Sequence, residues 1–206
     1  MLLDDTARRV GFAWFFLAMA CTCATSNIAR GADDPAGFVS MFNGRDFTGW
    51  RFVGKGEPAA EAPNWKVEND VIHLTGGGSP HLATEKTYGD FEMRFEWRAL
   101  KEKYNSGFYI RSGERLGNNQ INLAKGAEGN LMYGKSKGGK GVPELQKPPG
   151  EWNEWRIEVV GDKATFWCNG QQAWEATGLV PERGHIGLQA EGAALEFRNL
   201  RIREIK

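Results

Sequence analysis

Residues 91–98 read Phe-Glu-Met-Arg-Phe-Glu-Trp-Arg, an unbroken alternation of apolar and charged side chains. A helix would scatter Phe91, Met93, Phe95 and Trp97 around its circumference. A strand puts all of them on one side and Glu92, Arg94, Glu96 and Arg98 on the other. The segment is therefore a strand with one wet face and one face that another layer must cover. Trp155, Ile157 and Val159 repeat the pattern against Arg156 and Glu158, and Ala164, Phe166 and Cys168 repeat it again before Asn169-Gly170. Asn-Gly is a strong hairpin signal because both residues accept the positive φ that a tight turn demands. Ile186 with Leu188, Leu195 with Phe197, and Leu200 with Ile202 read as closing strands. No stretch sustains a helical period, so the expected fold is an all-β, two-sheet sandwich. Gly54–Pro63 and Gly117–Pro149 break the alternation and read as loops. The second contains Lys135-Ser136-Lys137-Gly138-Gly139-Lys140, which reads as a solvated loop because no strand, glycine turn and helix in P-loop order surround it.

At 206 residues and 41% hydrophobic, the chain suits one such domain with a sizeable core. Lysine plus arginine and aspartate plus glutamate both number 26, so no basic field points to nucleic acid. The N-terminus reads as an export signal over residues 1–20: Arg8 and Arg9 precede the apolar stretch Val10 to Ala20, which is too short to span a bilayer comfortably. Ala18-Met19-Ala20 is a small-residue cleavage pattern with Cys21 next, so a lipid anchor on Cys21 is the alternative to simple secretion. Residues 21–36 read as a disordered neck and 37–206 as a single domain, placing the mature protein in the periplasm or outside the cell, with no transmembrane span. Cys21, Cys23 and Cys168 make no disulfide framework, and Cys168, in strand alternation with Phe166, reads as a buried thiol.

The polar sides of three further strand-like runs carry the candidate chemistry. In Gly107-Phe108-Tyr109-Ile110-Arg111, alternation sets Tyr109 and Arg111 opposite Phe108 and Ile110. Gln120 and Asn122 oppose Ile121 and Leu123, and His185, Gln189 and Glu191 oppose Ile186 and Leu188. If one sheet joins these runs, its face offers planar donors and acceptors beside an aromatic ring. That mixture suits sugars, whose hydroxyls need paired partners and whose ring faces pack on aromatics. The metal-ligating types His185, Glu191 and Glu96 are scattered and show no H-x-x-x-H or C-x-x-C spacing. No serine sits in a nucleophile elbow, and no carboxylate run of a glycosidase pair is visible.

Several segments together carry a resemblance. They are Phe42-Asn43-Gly44-Arg45-Asp46 with Thr48-Gly49-Trp50, Trp65-Lys66-Val67, Tyr88-Gly89-Asp90-Phe91-Glu92, Asn105-Ser106-Gly107 with Arg111, Glu151-Trp152-Asn153, Gly187-Leu188-Gln189-Ala190-Glu191-Gly192, and Phe197-Arg198-Asn199. Over Gly37 to Lys206 the sequence resembles the 3-keto-disaccharide hydrolase (3-keto-glycoside hydrolase/lyase) family, whose domain is a concanavalin-like jelly roll. The resemblance implies cleavage of a 3-keto-disaccharide or glycoside whose ketone a separate sugar oxidoreductase has installed. It implies Arg111 as electrophilic stabiliser, His185 or Glu191 as proton-transfer groups, and Tyr109, Gln120, Asn122, Gln189 and Asn118 as sugar contacts, with a divalent metal ion as an alternative stabiliser. Where the family commonly shows Glu-x-Gln-Ile and then Gly-Asp, this chain has Asn118-Asn119-Gln120-Ile121 and Gly129-Asn130. Amides there hydrogen-bond a hydroxyl but cannot serve as bases, which favours a non-catalytic carbohydrate-binding module as the competing reading.

Overall fold

The computed structural model describes residues 37–54 and 62–206. The signal segment and neck expected over residues 1–36, and the interior of the 54–63 loop, lie outside the described residues. The strands in chain order are β1 (Val39–Ser40), β2 (Trp50–Val53), β3 (Trp65–Glu68), β4 (Val71–Leu74), β5 (His81–Thr84), β6 (Phe91–Ala99), β7 (Gly107–Ser112) and β8 (Gln120–Asn122). They continue with β9 (Leu131–Met132), β10 (Lys137–Gly138), β11 (Asn153–Val160), β12 (Lys163–Cys168), β13 (Gln171–Thr177), β14 (His185–Leu188) and β15 (Leu195–Glu204). The stretch expected to be loop over 117–149 thus contains β8, β9, β10 and a short 3-10 turn at Pro143–Leu145. Two of these strands are two residues long, too short for alternation to register in sequence.

Two antiparallel sheets make a jelly-roll sandwich. One has nine strands, in the order β10-β13-β12-β11-β6-β15-β4-β3 with β1 added against β15; the other has six, in the order β2-β5-β14-β7-β8-β9. The alternating residues of β6, β11 and β12 face inward as expected: Phe91, Met93, Trp155, Ile157, Val159, Ala164, Phe166 and Cys168 are fully buried. Phe95 of the nine-stranded sheet stacks on Phe108 of the six-stranded sheet at 4.4 Å, and Trp155 packs edge-on against Phe95, Trp97 and Phe166. Burial pushes the Cys168 thiol up to about 11, as expected of a buried thiol with no activating charge.

Leu195 with Phe197 and Leu200 with Ile202 belong to one strand rather than two. A bulge between Arg198 and Arg201, with Asn199 at φ 54°, shifts the alternation by one residue and keeps both pairs in the core.

The outer face of the nine-stranded sheet is a lattice of charges that neutralise one another. Glu92, only 1% exposed, accepts from Arg94 Nη2 at 2.8 Å and Arg203 Nη2 at 2.7 Å, and Arg156 Nε lies 2.7 Å away as an ion pair. Glu96 pairs with Arg198 at 2.6 Å, and Glu196 with Arg98 at 2.5 Å and His73 at 3.0 Å. Arg98 and Arg198 lie over the Trp152 ring at 4.5 and 3.9 Å.

Candidate active site

The six-stranded sheet turns a different outer face to solvent. Pairing sets Gly187 opposite both Ala83 and Tyr109, Tyr109 opposite Gln120, and Gly107 opposite Asn122. Because side chains alternate, Ala83, Gly187, Tyr109 and Gln120 form one row across this face. His81, Gln189, Gly107 and Asn122 form the next. The face divides into two halves.

One half is closed by the loop after β7. Leu116 packs with Val53, Ala83 and Tyr109 in a small apolar cluster separate from the main core. It lies over Gly187, where a Cβ would come within 2.5 Å of Leu116 Cδ1, so only glycine leaves room for the loop to settle. A chain of polar contacts pins this loop. Glu114 accepts from Arg51 Nη2 at 2.6 Å and faces His185 Nε2 at 3.1 Å, while His185 Nδ1 donates to the Thr84 carbonyl at 2.8 Å. The contact with His185 holds the Glu114 carboxyl below its ordinary value, and Arg51 adds to the effect. Asn118 serves the same loop: its Oδ1 accepts from Gly113 N at 3.1 Å and Ser112 Oγ at 3.2 Å, and its Nδ2 donates to the Val180 carbonyl at 3.2 Å.

The other half is polar. Gln120 Nε2 donates to Gln189 Oε1 at 3.0 Å, and the Gln120 side chain lies across Gly107, where a Cβ would sit 2.0 Å from Gln120 Nε2. Gln120 is 2% exposed, and its Oε1 is buried with no hydrogen-bond partner. A buried amide oxygen left without a donor loses its hydration and gains nothing in return. Burial pushes the Tyr109 hydroxyl up to about 12, with the nearby Tyr133 and the Glu191 carboxylate adding to the shift. Tyr109 is thus a neutral donor at physiological pH. Glu191 is partly exposed beyond the end of β14, and Asn122 is buried beside Gly107.

Arg111 is not on this face. It sits at φ 42°, where the β7–β14 register slips between His185 and Gly187, and this bulge turns its side chain toward the other sheet. The side chain is fully buried: Nε donates to Gly89 O at 2.7 Å, Nη1 to Gly161 O at 2.5 Å and Nη2 to Asp90 Oδ1 at 2.6 Å. Burial lowers its pKa, and Asp90 opposes that shift. Strict alternation placed Arg111 beside Tyr109, and a single bulge removes it. The structure therefore brings Tyr109, Gln120, Asn122, Gln189 and Glu191 together. It assigns His185 and Asn118 to the loop clasp and Arg111 to the join between the sheets.

The sequence reading passed over His81. Its ring lies 6.3 Å from that of Tyr109, and its Nδ1 accepts the Ala190 backbone N–H at 3.0 Å. The available signal was the alternation in His81-Leu82-Ala83-Thr84, where Leu82 is fully buried and His81 is not. Among the described residues no group of three or more His, Cys, Asp or Glu side chains is placed to hold a metal ion.

The 3-keto-alpha-glucoside-1,2-lyase-like domain model matches residues 37–203, which is almost the whole described chain. The chain belongs to that family. A 3-keto-disaccharide hydrolase from Bacteroides thetaiotaomicron is 22% identical over 82% of this chain and 79% of its own length. Among solved structures, a candidate glycosyl hydrolase from Parabacteroides distasonis aligns with TM-score 0.66 and 22% identity, covering 82% of this chain and 94% of that one. The carbohydrate-binding module CBM66 from Bacillus subtilis aligns with TM-score 0.58 and 15% identity, covering 81% and 100%. Both structural likenesses are to the sandwich. The family membership indicates a glycosidase-type hydrolase, and among the described residues no helix is long and apolar enough to cross a membrane.

Proposed function

We propose that the protein is an exported enzyme that cleaves the glycosidic bond of 3-keto-glycosides, bound on the polar half of the six-stranded sheet. The observation that carries this reading is the Tyr109–Gln120–Gln189–Glu191 group, with its buried and unpartnered Gln120 carbonyl oxygen, in a chain of this family. The reaction follows from the ketone. A C3 carbonyl acidifies the C2–H, so a base removes that proton and the C–H electrons form an enolate. The enolate re-forms the ketone as C1=C2 forms and the C1–O bond to the leaving sugar breaks, and water then adds at C1. In this reading Glu191, the carboxylate near Tyr109, takes the C2 proton. Gln120, Gln189 and Asn122 bind hydroxyls and Tyr109 is a neutral donor beside them. Arg111 and His185, with their donors engaged in the scaffold, hold the sheet in shape for this chemistry. The ketone must be supplied by a separate sugar oxidoreductase. Export follows from the residues 1–20 signal, by secretion or through a lipid on Cys21.

A second reading, a carbohydrate-binding module without turnover, is favoured by Asn118 and Asn130, amides where the family commonly has carboxylates. Purified protein mixed with a panel of 3-keto-disaccharides, with and without a chelator, separates the two. Release of free monosaccharide supports the enzyme, and saturable binding without product supports the module.

A further inference from the structure

We infer that the Tyr133 ring is a stacking platform for the second ring of the substrate, so that the site takes disaccharides in preference to simple alkyl glycosides. The inference rests on the keto-glycoside reading above and narrows its substrate class. β9 pairs with β8 so that Leu131 lies opposite Ile121 and Met132 opposite Gln120. Ile121 is fully buried and Leu131 packs against the same core, so Met132 turns outward in the row of Gln120. Continued alternation would carry Tyr133 inward. Its backbone instead takes φ 57°, a left-handed conformation that bulky residues rarely adopt, and the ring emerges 65% exposed, the most exposed aromatic among the described residues.

The backbone at this turn is fixed while the ring is open. The Tyr133 carbonyl accepts the Asn119 N–H at 3.4 Å, and Asn119 Nδ2 donates to the Val180 carbonyl at 2.7 Å. A Cβ at Gly134 would lie 2.6 Å from Asn119 Oδ1, so the chain after Tyr133 is seated against the same buried amide. A platform anchored in this way gives up little freedom when a ligand settles on it. The left-handed backbone is a local cost that so exposed a ring does not recover by packing within the protein, and such strain gathers at ligand clamps. Tyr133 and Glu191 stand at opposite ends of the polar half. Tyr133 is one step beyond the Gln120 row; Gln189 pairs with Gly107 two steps to the other side, and Glu191 follows two residues later. The Tyr109 hydroxyl lies between them and feels both. At about 3.3 Å per residue of strand, that span is longer than one pyranose ring. A sugar whose C2 proton meets Glu191 therefore leaves the Tyr133 end to the ring across the C1–O bond, whose C–H face packs on the aromatic.

Two variants and two substrates test the platform in the full-length protein. Tyr133→Gly keeps the turn, which glycine adopts without strain, and removes the ring. Tyr133→Phe keeps the ring and removes the hydroxyl. With a 3-keto-disaccharide, kcat/KM of Tyr133→Gly is expected to fall about fivefold to tenfold, through KM. With a methyl 3-keto-glycoside, which has no second ring, the same variant should change by less than about twofold, and Tyr133→Phe should retain most of the disaccharide activity. Equal losses of Tyr133→Gly on the two substrates, no loss on the disaccharide, or a loss in Tyr133→Phe as large as in Tyr133→Gly would each overturn the platform while leaving the keto-glycoside reading intact. Calorimetric titration with the same disaccharide separates the two claims if the wild-type protein releases no product. Binding weakened by Tyr133→Gly then upholds the platform and overturns the enzymatic reading, whereas binding that is absent, or indifferent to the ring, overturns both.

Discussion

The two outer faces of the sandwich are built from the same strand alternation and end in opposite states. On the nine-stranded sheet every described carboxylate of β6 has found arginine: Glu92 binds Arg94, Arg156 and Arg203, and Glu96 binds Arg198. On the polar half of the six-stranded sheet the groups are amides, rings and one carboxylate. At least one of them, Gln120 Oε1, is buried with nothing to accept from. A face whose charges are satisfied internally has little left for a ligand, whereas a face that carries an unsatisfied buried acceptor has a free-energy reason to bind one. The division also separates stability from function, because substitutions on the first face should be felt in folding and those on the second in substrate binding.

Breaking the first face gives the largest expected effect. Glu92→Gln removes a nearly fully buried charge and leaves three arginines without their shared partner; it should lower the free energy of unfolding by about 3 kcal/mol in urea titrations. Cleavage per folded molecule should be unchanged. If Glu92→Gln spares stability but abolishes turnover, the division between the faces is wrong.

Substitutions on the polar half should show the reverse. Gln189→Ala deletes the acceptor for Gln120 Nε2 and a candidate sugar contact, and is expected to raise KM roughly fivefold, about 1 kcal/mol, with unfolding little altered. Gly107→Ala should reproduce that loss without touching a polar group, because the added Cβ lies 2.0 Å from Gln120 Nε2 and displaces it. Agreement between the two in substrate titrations would locate the binding surface at Gln120.

The smallest expected effect concerns the clasp over the closed half. Glu114 titrates below its ordinary value of 4.5 when folded, so its contribution to holding the loop is present above that value and fades as pH falls through the lowered one. Hydrogen exchange at Leu116 and its neighbours should therefore quicken as pH falls through that lowered value while that of β6 and β11 does not. Glu114→Gln should show the faster exchange already at neutral pH.

The amount legible in sequence differed between these regions for a physical reason. Alternation depends only on neighbouring residues along one chain segment, so the strands β6, β11, β12 and the hairpin at Asn169-Gly170 could be read directly, as could the polar sides of β7, β8 and β14. Bulges are set by pairing with another strand, and they defeated the reading twice: at Arg111, which left the polar face, and at Asn199, which joined two expected strands into one. His81 was missed because four residues of strand carry too little pattern, and the amide that its Nδ1 accepts from belongs to Ala190, 109 residues away.

The sequence by itself determined that this chain makes an all-β sandwich with an aromatic core, and, where no bulge intervenes, which side chains strands such as β6, β11 and β12 turn outward, because period-two burial is a local property. Only the tertiary structure decided which of those outward groups meet. Tyr109, Gln120 and His81 come from separate strands and Gln189 and Glu191 from the run that follows β14, and they share a surface through sheet order and register. Arg111 and His185 came from the same runs and were drawn into the scaffold, Arg111 by groups at Gly89, Asp90 and Gly161 that flank strands of the other sheet, and His185 by Thr84 of the neighbouring strand and Glu114 of the loop after β7.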